Sequence, residues 1–229
     1  MKPTTCIIGV KCVDGLVLAG DRKVLRGAEY AFEDKIKQIF PNFLVSSSGL
    51  SGLMDKFQIE IASYLRSEEA KGKDWWAFLN TLENITNSLF NRYFQRFEND
   101  PDSQVYSFDV LLGCKPIRDQ TQLYRLYRNG FAQEVKSFDI IGHGSAYVLP
   151  FIKTLYNEKR TMREMAKVSA FSLKLVDEAR IDLTVGGEPQ IFLVPNIGDA
   201  TEMNKAEVDQ LLNNVSPSDV LAGLFKLLY

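Results

Sequence analysis

Residues 4–22 read Thr-Thr-Cys-Ile-Ile-Gly-Val-Lys-Cys-Val-Asp-Gly-Leu-Val-Leu-Ala-Gly-Asp-Arg. Two short apolar runs, Cys6–Cys12 and Leu16–Gly20, flank the dipeptide Asp14-Gly15, which favours a tight turn between strands. Neither run alternates apolar with polar. Strands apolar on both faces belong between two layers rather than on a surface. The next apolar segments, Lys35–Phe40 and Phe43–Ser48, are divided by Pro41-Asn42, and the four runs predict a compact early antiparallel sheet, with a loop carrying Gly27 between Asp21 and Lys35.

From Gly49 the period changes from two to 3.6. Leu50, Leu53, Met54, Phe57, Ile61, Tyr64 and Leu65 lie on one face of a helix. Ser67–Lys73, with Gly72, breaks it. Asp74 is placed to cap a second helix whose stripe runs through Trp75, Phe78, Leu79, Leu82, Ile85, Thr86, Leu89, Tyr93 and Phe97. A turn cluster at Glu98–Ser103 ends it. Strands are expected again at Ser107–Gly113, Gln122–Arg128 and Val135–Ile141, with a turn at Asn129-Gly130. Gly142-His143-Gly144-Ser145 leads into a helix near Ala146–Tyr156. Thr161 caps another with Met162, Met165, Ala166, Ser169, Leu173 and Val176 inward, broken at Gly186-Gly187. A last strand, Gln190–Val194, precedes a helical tail, Lys205–Tyr229. Strands, two helices, strands, two helices and a strand imply an α+β fold in four layers, an αββα sandwich of two antiparallel sheets flanked by helices, in one domain over residues 1–229.

Composition narrows the chemistry. The chain has 229 residues, a net charge of −2 and no basic stripe, which argues against a nucleic-acid partner. No apolar run approaches a membrane span, and nothing at the start reads as a secretory leader, so a cytoplasmic location is expected. Cys6, Cys12 and Cys114 match no metal signature and read as buried free thiols; neither metal nor cofactor is expected. His143 is the single histidine. A serine–histidine hydrolase would have to join it to Ser145, two residues away on one turn. An activated hydroxyl without histidine is also available chemically: an N-terminal threonine whose own amine is the base.

The order of these segments resembles proteasome β subunits. The resemblance rests on Thr4–Val10, Asp14–Arg22, Asp34–Ile39, Ser48-Gly49-Leu50-Ser51-Gly52, Gly142–Tyr147, Tyr156–Thr161 and Asp182–Gly187, and runs from Thr5 to about Val194. It implies the N-terminal-nucleophile hydrolase fold and a threonine endopeptidase acting on polypeptides inside a ring of like subunits, fed by an ATP-dependent unfoldase. Thr5 falls at the nucleophile, with Met1–Thr4 as a short leader; Thr5 is also an ordinary β-branched strand start. Asp21 matches the buried acid and Lys35 the active-site lysine, with Lys37 as the fallback. Gly49 matches the glycine whose N–H forms the oxyanion hole. Asp182 matches a second acid, with Asp177 as competitor. Val24, Glu33, Lys37, Ser47 and Ser51 fall near the primary pocket. There are departures: the family carries serine at His143 and at Val185, whereas Ser145 is kept. His143 can replace one hydroxyl as a donor. The alternative to an enzyme is an unprocessed, non-catalytic ring subunit.

Overall fold

The computed structural model describes residues 5–26, 29–49, 51–67, 75–93, 108–117, 120–127 and 129–212. The expected leader (residues 1–4), the Gly72 break, the Asp74 cap, Phe97, the 98–103 turn and the tail beyond 212 lie outside them.

Two five-stranded antiparallel sheets are stacked. The first contains β1 (Ile7–Cys12), β2 (Gly15–Gly20), β10 (Phe138–Ile141), β11 (Gln190–Pro195) and β12 (Thr201–Glu202), in the order β10-β1-β2-β11-β12. The second contains β5 (Ile36–Phe40), β6 (Phe43–Gly49), β7 (Phe108–Ile117), β8 (Gln120–Leu126) and β9 (Ala132–Val135), in chain order. A small hairpin, β3 (Lys23–Arg26) and β4 (Glu29–Phe32), stands beside them. Helices α1 (Ser51–Arg66) and α2 (Trp75–Tyr93) cover the second sheet; α3 (Ser145–Leu155), α4 (Met162–Glu178) and α5 (Lys205–Leu212) cover the first. The expected four-layer sandwich is therefore the observed one.

The period of two explains the layers. Ile8, Val10, Val17, Ala19 and Ile191 face α3 and α4, whereas Ile7, Leu16, Leu18, Phe192 and Val194 face the other sheet. From the second sheet, Leu44, Leu111 and Leu123 meet them, and Val45, Val110 and Leu112 turn towards Phe57, Ile61 and Leu82 of the helices. Glycines let the sheets approach. A Cβ on Gly9 would stand 2.9 Å from Leu123, and one on Gly113 2.8 Å from Leu18.

Four expectations are corrected. The four early strands do not form one sheet: β1 and β2 lie in the first, β5 and β6 in the second, with Ile7, Leu16 and Leu18 packed with Ile36 and Leu44 between the two. The loop between Asp21 and Lys35 contains the β3–β4 hairpin, closed by Glu33 N–H donating to Arg22 O at 2.8 Å. Val135–Ile141 is two strands, β9 and β10, which part at Lys136-Ser137 to join different sheets. Finally, α4 ends at Glu178, where Arg180 takes a positive φ of 51°, well before Gly186-Gly187, and β12 follows β11. The Thr161 cap holds, as a capping box with Glu164.

Candidate active site

Register brings the first residues together. In the β1–β2 pair Ile7 faces Gly20, so one step further Cys6 faces Asp21. In the β1–β10 pair Ile7 faces Ile141; continued two steps, Thr5 faces His143. Contacts agree with this reading: Asp21 N–H donates to Cys6 O at 3.1 Å, and Gly144 N–H donates to Thr5 O at 3.1 Å. Gly142, with φ +95°, must lack a side chain, since a Cβ there would overlap the Thr5 carbonyl. Thr5 is 4 % exposed.

Asp21 is the centre of a buried network. Its Oδ1 accepts from Cys6 N–H and from Lys35 Nζ, each at 2.7 Å. Its Oδ2 accepts from Lys23 N–H and Gly186 N–H, both at 3.2 Å. Asp21 and Lys35 are 1 % and 2 % exposed. Burial pushes the Asp21 carboxyl up and the Lys35 ammonium down, and the ion pair with its hydrogen bonds opposes both shifts. Lys35 immediately precedes β5 of the second sheet and Asp21 immediately follows β2 of the first, so the pair ties the two together.

Sequence reasoning missed what positions Lys35. Gln190, 1 % exposed at the start of β11, accepts from Ile36 N–H at 2.9 Å and donates to Ile36 O at 3.0 Å. This two-point clamp fixes the residue after Lys35 across the sandwich. The only available signal was a polar residue at the head of an apolar strand.

The remaining expectations divide. Lys37, the fallback, is exposed: Lys35 precedes β5, so the even spacing of a strand does not yet apply to it. Gly49 ends β6 with φ +136°, a conformation that favours glycine. Ser145 opens α3, its N–H donating to Gly142 O at 3.1 Å. Asp177 accepts from Gly187 N–H at 3.0 Å and packs on Gly186, outside the turn that reaches Asp21. Asp182 lies 7 % exposed, accepts from Thr184 N–H at 2.8 Å and Thr184 Oγ1 at 2.6 Å, and has His143 Nε2 3.9 Å from its Oδ2. Its charge, with that of Asp21, holds the Cys6 thiol above its ordinary value, though burial is the larger cause. Val185 is buried against Cys6 and Gly144, where its side chain offers no hydrogen bond. Ser47 is buried, and its hydroxyl has no partner among the described residues. Val24 and Glu33 are half-buried, and the side chain of Ser51 lies outside the description.

The site thus gathers Thr5, the buried Asp21–Lys35 pair and the turns at Gly142–Ser145 and Asp182–Gly187 at one end of the sandwich. Comparisons with known proteins bear on it. A family model described as proteasome subunit matches residues 1–194. A proteasome subunit beta from Halorubrum lacusprofundi is 23 % identical over 211 residues, covering 86 % of this chain and 76 % of its own length. One from Stackebrandtia nassauensis is 24 % identical over 244 residues, covering 96 % and 79 %. Among solved structures, an Anbu (ancestral beta-subunit) from Yersinia bercovieri superposes with a TM-score of 0.75 at 14 % identity, covering 97 % of this chain and 96 % of that one. A Gly-1 mutant of Anbu from Hyphomicrobium strain MC1 gives 0.75 at 17 %, with the same shares. At these identities the structural likeness establishes the fold alone.

Proposed function

Because the chain belongs to the proteasome subunit family, whose model spans residues 1–194, we propose that this β-like subunit is a threonine endopeptidase with Thr5 as its N-terminal nucleophile once residues 1–4 are removed. One observation carries the reading: the buried Asp21–Lys35 pair at 2.7 Å, whose acid also grips the N–H of Cys6, one peptide bond from Thr5. A buried ion pair contributes little net stability, so its placement beside a candidate nucleophile supports a chemical role.

In the proposed cycle the freed α-amine of Thr5 takes the proton of its own hydroxyl, and Oγ1 attacks the peptide carbonyl carbon. In this cycle Lys35, its ammonium destabilised by burial and held 2.7 Å from Asp21, favours the developing alkoxide. The Gly49 N–H meets the oxyanion. Collapse expels the amine product, which takes the proton from the α-ammonium and leaves an ester on Thr5. Water, deprotonated by the same amine, hydrolyses that ester. Asp182 is the second acid of the site in this reading, and Val24, Ser47 and Ser51 line the pocket for the substrate side chain. The subunit would work in a ring of like subunits in the cytoplasm, on polypeptides delivered by an ATP-dependent unfoldase.

A second reading, a non-catalytic ring subunit that keeps its leader, is favoured by one feature: Val185 is an apolar residue in the turn that supplies the site. Intact mass of the assembled protein separates the two. The peptidase reading expects loss of residues 1–4 and cleavage of fluorogenic peptides that a Thr5→Ala variant lacks. An intact start in the assembled ring, with no turnover, overturns it.

A further inference from the structure

Thr5 leads into β1 of the first sheet and Gly49 ends β6 of the second, so their separation depends on what joins the two sheets at that end. On one side the joint is Asp21–Lys35. On the other side it is Arg125. Its Nη1 donates to both carboxylate oxygens of Asp139, at 3.3 and 3.2 Å, and its Nη2 lies 3.4 Å from Asp109 Oδ1. Arg125 belongs to β8, Asp109 to β7 and Asp139 to β10, so the guanidinium crosses from the second sheet to the first. The side chains of Arg125, Asp109 and Asp139 are 22 %, 28 % and 24 % exposed, so water has limited access to the joint. Arg125 Cζ also stands 4.7 Å from the centre of the Tyr127 ring. A planar guanidinium with acids on two edges and a ring on one face is held in a single orientation.

Each acid adjoins one half of the candidate site. In the β1–β10 pair Asp139 stands opposite Gly9 and Ile141 opposite Ile7. The chain then runs directly into the seat of Thr5, where Gly142 packs on the Thr5 carbonyl and Gly144 N–H donates to it at 3.1 Å. β10 is an edge strand of four residues, and among the described residues it pairs with β1 alone. Arg125 gives it a second hold, from the facing sheet. Asp109 stands opposite Ser48, and its neighbour Phe108 stands opposite Gly49. One guanidinium therefore joins the strand that seats Thr5 to the strand that flanks Gly49.

We propose that Arg125 is a positioning residue that, by gripping Asp139 and Asp109 together, fixes the distance between Thr5 and the Gly49 N–H. Its effect on turnover rests on the peptidase reading above; its hold on the seat of Thr5 does not. Arg125 touches no reacting atom and neither gives nor takes a proton. Its loss frees the nucleophile to drift from the oxyanion donor. A misplacement of about 1 Å costs a reaction about a hundredfold, and drift limited by the intact Asp21–Lys35 joint should cost about tenfold.

The test compares the assembled parent with Arg125→Gln, Arg125→Lys, Asp139→Asn and the Arg125→Gln/Asp139→Asn double variant. Hydrogen exchange of the Gly144 amide reads the seat of Thr5, and peptide turnover reads the alignment of the site. The Gly144 amide should exchange about tenfold faster in Arg125→Gln and in Asp139→Asn, while the amides of β2 keep their parent rates. In the same variants kcat should fall about tenfold with KM within about twofold of the parent. The double variant should lose nothing further, because both substitutions break one joint. Arg125→Lys, which keeps the charge without the fork, should recover part of both losses and serves as the milder variant where Arg125→Gln does not assemble. Parent-like exchange at Gly144, a loss confined to KM, or losses that multiply in the double variant would overturn the proposal. If the processed parent turns over no peptide, the peptidase reading fails, while Gly144 exchange still decides whether Arg125 holds Thr5 in place.

Discussion

Asp21 and Asp182 are both buried acids, one beside the Lys35 ammonium and the other 3.9 Å from the His143 imidazole, yet the fold treats them differently. Asp21 sits where β2 ends and three backbone segments converge, so Cys6, Lys23 and Gly186 each supply an N–H beside the Lys35 ammonium. Asp182 sits in a single turn, which supplies Thr184 to one oxygen and leaves the other without a donor among the described residues. The difference teaches that a buried acid is satisfied by the number of chain segments that converge on it. Three backbone N–H donors and the 2.7 Å pair with Lys35 hold Asp21 in one place. At 3.9 Å from Asp182 Oδ2, His143 Nε2 makes no hydrogen bond to it.

The sharpest way to break the contrast is to remove the lysine. Lys35→Met leaves the Asp21 charge buried with backbone donors alone and should destabilise the protein by about 3–5 kcal/mol, as other broken buried pairs do. Adding Asp21→Asn should recover part of that loss. Urea unfolding of the three proteins checks both statements.

The clamp behind the lysine comes next. Gln190→Ala leaves the Ile36 N–H and C=O buried without partners and should cost about 2–4 kcal/mol, with loss of activity following from a displaced Lys35. A variant that unfolds at the parent's urea midpoint would mean that the strands themselves hold Ile36 in register.

A lone buried group sharpens the comparison further. Burial raises the Cys114 thiol well above its ordinary 9.0, with no acid contributing to the shift. Above pH 9 the unfolded chain therefore loses a proton that the native state keeps, so the thiol's contribution to stability falls as pH rises. The cost of Cys114→Ala should accordingly be smaller at pH 10 than at pH 8 by about 1.4 kcal/mol. A cost equal at both pH values would show that the native thiol ionises as readily as the unfolded one.

Much of this was legible in the chain, for particular reasons. Cys6–Cys12 and Leu16–Gly20 are apolar at every step, and only a layer sandwiched on both faces has use for such strands. Leu53, Phe57 and Ile61 and the stripe of α2 mark the outer layer by their spacing. Other features were not legible. Nothing local assigns β1–β2 and β5–β6 to separate sheets, because a strand pair with two apolar faces is satisfied by any cover. Lys136-Ser137 reads as a dip in one strand, although it is where the chain crosses between sheets. The β3–β4 hairpin is short and edge-like, with Phe32 and Tyr30 exposed, so it lacks the burial that writes a pattern into sequence.

The candidate site divides the same way. Thr5, Asp21, Lys35, Gly49 and Asp182 were nameable only through the resemblance to proteasome β subunits over residues 4–187, with Lys37 and Asp177 as alternatives, and not from any local pattern. The order and spacing of those segments were enough to imply the layers and the family. Which lysine is buried, which acid is saturated and which residue holds Lys35 were decided only by the tertiary structure. Those outcomes depend on partners far apart in the chain, such as Gln190 with Ile36 and Gly186 with Asp21, and on the removal of water from between them, neither of which a local pattern records.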